Sequence, residues 1–292
     1  MALVFAAIAP HGGLVIAEAC SPEERDIPIV TQAGMRELGA LFAAARPQAV
    51  VVATPHNVHI AGTLGVVIAG RLAGSLAGAP SVSLDVPGEV TLAWLLLESL
   101  LACGLPAVGV SFGANDPASS VAPMDWGVLI PLWFMGGRDK PPLPLVVITP
   151  ARDLPAADHI KAGAVVAAAA AASGLRVAFI ASADHGHAHD PDGPYGYHPG
   201  AKKYDELICE LVRGGRLDRL DEIPLGLVEQ AKADSWWQML MLHGATANGW
   251  RGRLISYEAP TYFGMLTAAY EPINPGTASP LGRRTRRRTR AR

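Results

Sequence analysis

The run LVFAAIA at residues 3–9, followed at once by Pro10, His11, Gly12 and Gly13, decides how the chain is read. Seven consecutive apolar residues without polar alternation describe a strand buried on both faces, the kind found in parallel sheets covered by helices. The glycine pair behind it lets the backbone turn sharply. The same short apolar run recurs at 48–53, 64–69, 106–112, 143–149, 176–181 and 254–257. Helix-like stretches separate these runs at 31–45, 89–103, 153–173, 200–212 and 225–246, three of them ending at a glycine. This alternation predicts an α/β fold, a central mixed and largely parallel sheet flanked by helices, in a single domain over residues 1–273. The glycine- and proline-rich segment 113–144 reads as long loops.

Composition narrows the function classes. Half of the 292 residues are apolar and 17% are charged, which excludes disorder over most of the chain. The net charge of −2 includes seven arginines between Arg283 and Arg292, so the rest of the chain stands at −9. Residues 274–292 are therefore expected to be a basic, disordered tail, and the acidic body carries no footprint for nucleic acid. The longest small-apolar run, 162–172, is too short to span a bilayer, for which roughly 20 residues are needed. The N-terminal run lacks the positive start of an export signal. Three cysteines, Cys20, Cys103 and Cys209, neither frame disulfides nor show metal-type spacing. A cytoplasmic protein without membrane or nucleic-acid partners is the expectation. Neither a phosphate-binding glycine loop nor a Gly-x-Ser-x-Gly elbow is present.

The histidines carry the chemistry. His11 follows the first predicted strand. His56 and His59 follow the second, in VVATPHNVHI. His185, His187 and His189 follow another, in FIASADHGHAHD, and Glu258 ends a run in LISYEAPTYFG. Ligands of open α/β sheets bind beyond the carboxyl ends of the strands, where such loops converge. Two neutral imidazoles and one carboxylate on one face of an ion leave its other face open for an organic molecule and O2, the arrangement of non-haem Fe(II) oxygenases. The loop DPDGPYGYHPG, with Tyr195 and His198, reads as a rim or lid.

APHGG near the start, TPHxxH some 45 residues on, SADHGH, and a late glutamate before APTYFG together resemble class III extradiol ring-cleavage dioxygenases. The likeness is to the catalytic B-subunit type, which includes protocatechuate 4,5-dioxygenase and 2-aminophenol 1,6-dioxygenase beta subunits, and it covers residues 3–271. The resemblance implies Fe(II) (Fe2+) held by His11, His56 and Glu258. It implies an acid–base histidine at His187, with His185 as the other candidate in that motif. His59, Tyr195 and His198 are expected at the substrate pocket. The implied partners are a small aromatic substrate and O2, within a homo-oligomer or a complex with a small alpha subunit. Two rival readings remain at this point. One is a zinc-dependent hydrolase built on the His185–Asp190 run; the other is a non-catalytic binding relative of the same fold.

Overall fold

The computed structural model describes residues 3–247 and 249–273. In chain order the strands are β1 (Leu3–Ala9), β2 (Ala49–Ala53), β3 (Leu64–Val67), β4 (Arg71–Leu76), β5 (Ala79–Pro87), β6 (Ala107–Val110), β7 (Val121–Pro123), β8 (Leu145–Thr149), β9 (Val177–Ser182), β10 (Trp250–Glu258) and β11 (Met265–Pro272). The helices are α1 (Ile29–Ala45), α2 (Val90–Ala102), α3 (Trp126–Phe134), α4 (Ala156–Ser173), α5 (Pro199–Gly214), α6 (Leu225–Ala231) and α7 (Trp236–Ala245). Eight strands make one sheet in the order β10-β11-β1-β9-β2-β8-β3-β6. The inner run β1, β9, β2 and β8 is parallel, while β11 and β3 enter antiparallel. The sheet is thus mixed and largely parallel, as the apolar runs predict.

Alternate residues of each inner strand feed opposite layers. Val51 and Ile8 pack with α2, α4, α5 and α7 on one face. Val50, Val52 and Ala7 pack with α1, α3 and a small sheet, β5-β4-β7, on the other. Full burial on both faces explains why these strands show no polar alternation.

Two expected segments differ. The long loop expected at 113–144 contains β7 and α3. α3 is almost wholly apolar and buried, so it offers no amphipathic period, and Pro131 sits inside it. Asp125 starts it by accepting the Val128 N–H at 3.2 Å. The single helix expected at 225–246 is two. Lys232 closes α6 in the left-handed region (φ 54°), and the chain turns through Ala233, Asp234 and Ser235 into α7. The expected basic tail, 274–292, lies outside the described residues. Among the described residues, no helix is long and apolar enough to cross a membrane.

Candidate metal centre and cavity

β1, β9 and β2 lie side by side and parallel, so their carboxyl ends present three loops to one place. The chain leaves β1 into His11, β2 into His56, and β9 into Asp184–His187. The break between α6 and α7 brings Asp234 over the same edge. There His11 Nε2 lies 3.1 Å from His56 Nε2 and 3.3 Å from Asp234 Oδ2. His56 Nε2 is 3.5 Å from the same carboxylate oxygen. A divalent ion about 2.0–2.2 Å from each donor would space neighbouring donors about 2.8–3.6 Å apart. Two imidazoles and a carboxylate at these separations fit a single metal ion.

The tautomer of His11 follows from a chain of bonds that begins in α3. Pro131 has no N–H, so it cannot donate to the Gly127 carbonyl one turn back. That carbonyl instead accepts the Ser182 hydroxyl at 2.5 Å. With its one hydrogen committed, Ser182 Oγ acts as acceptor toward His11 Nδ1, 2.9 Å away. Nδ1 therefore carries a hydrogen, and Nε2 is the nitrogen turned toward His56 and Asp234. A bare lone pair facing a carboxylate at 3.3 Å is repulsive, and a proton or a metal ion on Nε2 turns that contact into an attraction. Gly127 makes this geometry possible. A Cβ there would meet Thr54 Oγ1 at 2.5 Å and the His56 ring at 3.1 Å.

The electrostatics agree. Burial alone would lower the His11 pKa, but Asp184 and Asp234 outweigh it and push the group up to about 9. Burial would raise Asp234, yet His11 beside it and its bonds to His11 and His56 hold it well below the usual carboxylate range. Burial raises Asp184, and the charge of Asp234 adds to this against the pull of His11. The field calls for positive charge where the donors meet. The two carboxylates are fixed by backbone: Asp184 Oδ1 accepts the His11 N–H at 3.0 Å, and Asp234 Oδ1 accepts the Asp184 N–H at 3.2 Å. Gln238 of α7 donates to the Ser182 carbonyl at 2.8 Å, which ties the start of that helix to the end of β9.

These donors form the floor of a cavity of about 890 Å³. Trp126 sits over His56 with ring centres 4.7 Å apart, and Phe263 stacks on His187 at 5.5 Å and 16°. His187 Nε2 is 4.0 Å from Asp234 Oδ2. Tyr195 and Tyr262 continue the aromatic wall. On the wall also stand Lys232 and Arg152, the latter 4.9 Å over the Trp237 ring. Neither cation makes an ion pair with a described residue.

The structure brings His11, His56, His187 and Tyr195 of the expected set to this cavity. It takes Glu258 elsewhere. The Glu258 carboxylate accepts the Thr31 N–H at 2.5 Å, at the first turn of α1, and it does not line the cavity. The carboxylate in the donor cluster is Asp234, which the sequence pattern hid inside an apparent helix. The adjacent Asp234-Ser235 pair, two helix-starting residue types before an apolar run, was the available signal. His185 lies behind the site, fully buried, with neither ring nitrogen bonded to a described residue, and burial lowers its pKa. His59 is exposed off the cavity wall. His198 caps α5, its Nδ1 accepting the Gly200 N–H at 3.0 Å.

Comparison with known proteins agrees with this picture. A family profile, the catalytic LigB subunit of aromatic ring-opening dioxygenase, matches residues 5–266. A curated relative, Protein CA_C1420 of Clostridium acetobutylicum, is 25% identical over 253 residues, which are 85% of this chain and 53% of that protein. The chain thus spans about half the length of that relative. The crystal structure of the uncharacterized protein JW3007 from Escherichia coli K12 is similar in fold, with a TM-score of 0.59 at 21% identity. That likeness covers 91% of this chain and 99% of the other.

Proposed function

The chain belongs to the family of the catalytic LigB subunit of aromatic ring-opening dioxygenases, and from that premise we propose that it is a non-haem Fe(II)-dependent extradiol dioxygenase of catechol or 2-aminophenol type rings. The observation that carries the proposal is the meeting of His11 Nε2, His56 Nε2 and Asp234 Oδ2 within 3.1–3.5 Å on the floor of a large cavity. His11, His56 and Asp234 would hold the ion. Bound Fe(II) supplies the acidification of a ring hydroxyl and the electron transfer between ring and O2.

The remaining work falls to the chain. Two neutral imidazoles and one carboxylate around a divalent ion leave a charge that suits a monoanionic substrate. Trp126, Tyr262 and Phe263 offer flat apolar surfaces that orient an aromatic ring and exclude water. His187 takes a hydroxyl proton at Nε2 and returns it later, help that is typically worth about 10²–10⁴-fold. Phe263 fixes the plane of that imidazole. Negatively charged ring substituents find Arg152 and Lys232 on the wall.

The zinc-hydrolase alternative rested on the His185–Asp190 run as a metal cluster. Among those histidines only His187 lines the cavity, and His189 is bonded to Asp205. The test is anaerobic reconstitution with Fe(II), then O2-uptake screening over catechols, protocatechuate, gallate and 2-aminophenols. Ring cleavage with stoichiometric O2 uptake is expected. Stoichiometric zinc with hydrolytic activity and no O2 uptake would overturn the proposal.

A further inference from the structure

Asp205 lies on α5, is 1% exposed, and touches neither the metal donors nor the cavity. A carboxylate so buried needs several donors to hold it. Oδ1 accepts the Gly186 N–H at 2.7 Å. Oδ2 accepts from His189 Nε2 at 2.8 Å and from the Tyr257 hydroxyl at 2.7 Å. Gly186 and His189 bracket His187 in sequence, so one carboxylate grips the loop on both sides of it. Tyr257 belongs to β10, so the same carboxylate also ties the loop to the sheet.

The opposite strand of this clamp is the segment that carries Phe263. Gly264 N–H donates to the Gly186 carbonyl at 3.0 Å, and the Gly264 carbonyl accepts the His185 N–H at 2.8 Å. His189 N–H donates to the Tyr262 carbonyl at 3.1 Å. The Asp205 carboxylate lies directly against this segment: a Cβ at Gly264 would sit 2.0 Å from Oδ2. Between the two segments the His187 ring is stacked on Phe263. Its backbone is held from a third side, where its N–H meets the Ala231 carbonyl at 2.7 Å.

We propose that Asp205 is the positioning residue for His187: through Gly186, His189 and Tyr257 it sets the imidazole's place between Phe263 and Asp234. This rests on the assignment of His187 as the acid–base group. Asp205 makes no bond to His11, His56 or Asp234, so the clamp acts on proton transfer more than on metal binding.

The experiment compares wild type with Asp205→Asn and Tyr257→Phe in the full-length, Fe(II)-loaded protein under anaerobic handling. The readouts are Fe(II) affinity, the 15N imidazole resonance of His187 (assigned by its loss in His187→Ala), KM and kcat. In Asp205→Asn, kcat is expected to fall about 10²-fold, because misplacement of about 1 Å costs that much. Fe(II) affinity and KM are expected to stay within about threefold, and the His187 resonance to move. Tyr257→Phe removes one of the three bonds, and should move the same resonance less and lower kcat less. It decides the question alone if Asp205→Asn does not fold. An unmoved His187 resonance with kcat within twofold of wild type, or iron lost in step with kcat, would overturn the proposal. If wild type turns over no arene at all, the dioxygenase assignment fails, while the His187 resonance still decides whether Asp205 positions that ring.

Discussion

Glu258 and Asp234 are both carboxylates at the carboxyl edge of the sheet, yet they have opposite fates. Glu258 ends β10, two strands from β1 with β11 between them, about 10 Å across the sheet. There it accepts the Thr31 N–H in the first turn of α1, where Pro28 precedes the helix and offers no side-chain acceptor. Asp234 comes from the opposite side, out of a helix break, and descends onto His11 and His56. A strand end places a residue only opposite its own neighbours. A break above the sheet can reach the centre of the edge. Which carboxylate joins the two histidines is decided by which element carries it over the centre of that edge.

The largest expected effect breaks this comparison open. Asp234→Ala should hold no stoichiometric iron after anaerobic reconstitution and show no O2 uptake above background, because two imidazoles alone do not complete the donor set. Glu258→Ala should keep full iron content and turnover. Iron content measured on the two variants side by side decides it: iron retained by Asp234→Ala and lost by Glu258→Ala would invert the assignment.

The next effect separates proton transfer from metal binding within the same edge. His187→Ala should keep its iron while kcat drops about 10²–10⁴-fold. Single-turnover rates at saturating substrate measure this directly. Unchanged turnover would remove His187 from the chemistry. His185 is fully buried and does not line the cavity, so it could take that place only if the loop moved.

The sequence exposes what a single strand determines and conceals what two elements determine jointly. Strands β1, β2, β8 and β9 are continuous apolar runs because both faces are covered, and they are legible for that reason. His11 and His56 are legible with them, since each simply follows its strand. β4 and β5 form a hairpin of half-exposed strands, β4 interrupted by Gly74 and β5 alternating exposed and buried, and no apolar run marks them. α3 is hidden by Pro131 and by being apolar on every face. Asp234 depends on Lys232 taking a left-handed conformation inside an unbroken helical pattern, without glycine or proline to announce it. The fate of Glu258 depends on a helix start 227 residues away in the chain.

A smaller effect tests how His11 is aimed. Ser182→Ala removes the acceptor that keeps the hydrogen on Nδ1, and the Gly127 carbonyl freed by Pro131 loses its donor. Residues that orient a ligating imidazole are typically worth about 10–100-fold in metal affinity. Competition with a chelator under anaerobic conditions should show a loss in that range, with the residual bound iron still active. Affinity equal to wild type would mean that packing alone sets the ring.

The smallest effect returns to Glu258 and asks what that carboxylate does if it holds no metal. The Thr31 N–H is one of the first-turn donors that a helix cannot satisfy internally, and the positive end of the helix dipole favours a negative charge there. Glu258→Ala removes both contributions and should cost about 0.5–2 kcal/mol in urea unfolding. Glu258→Gln keeps an acceptor oxygen and loses only the charge, so its cost should be about 0.3–1 kcal/mol. Added salt screens that charge term, so the difference between wild type and Glu258→Gln should shrink as salt rises, while the further loss in Glu258→Ala persists. Equal stability of all three proteins would mean that water replaces the cap at the Thr31 N–H.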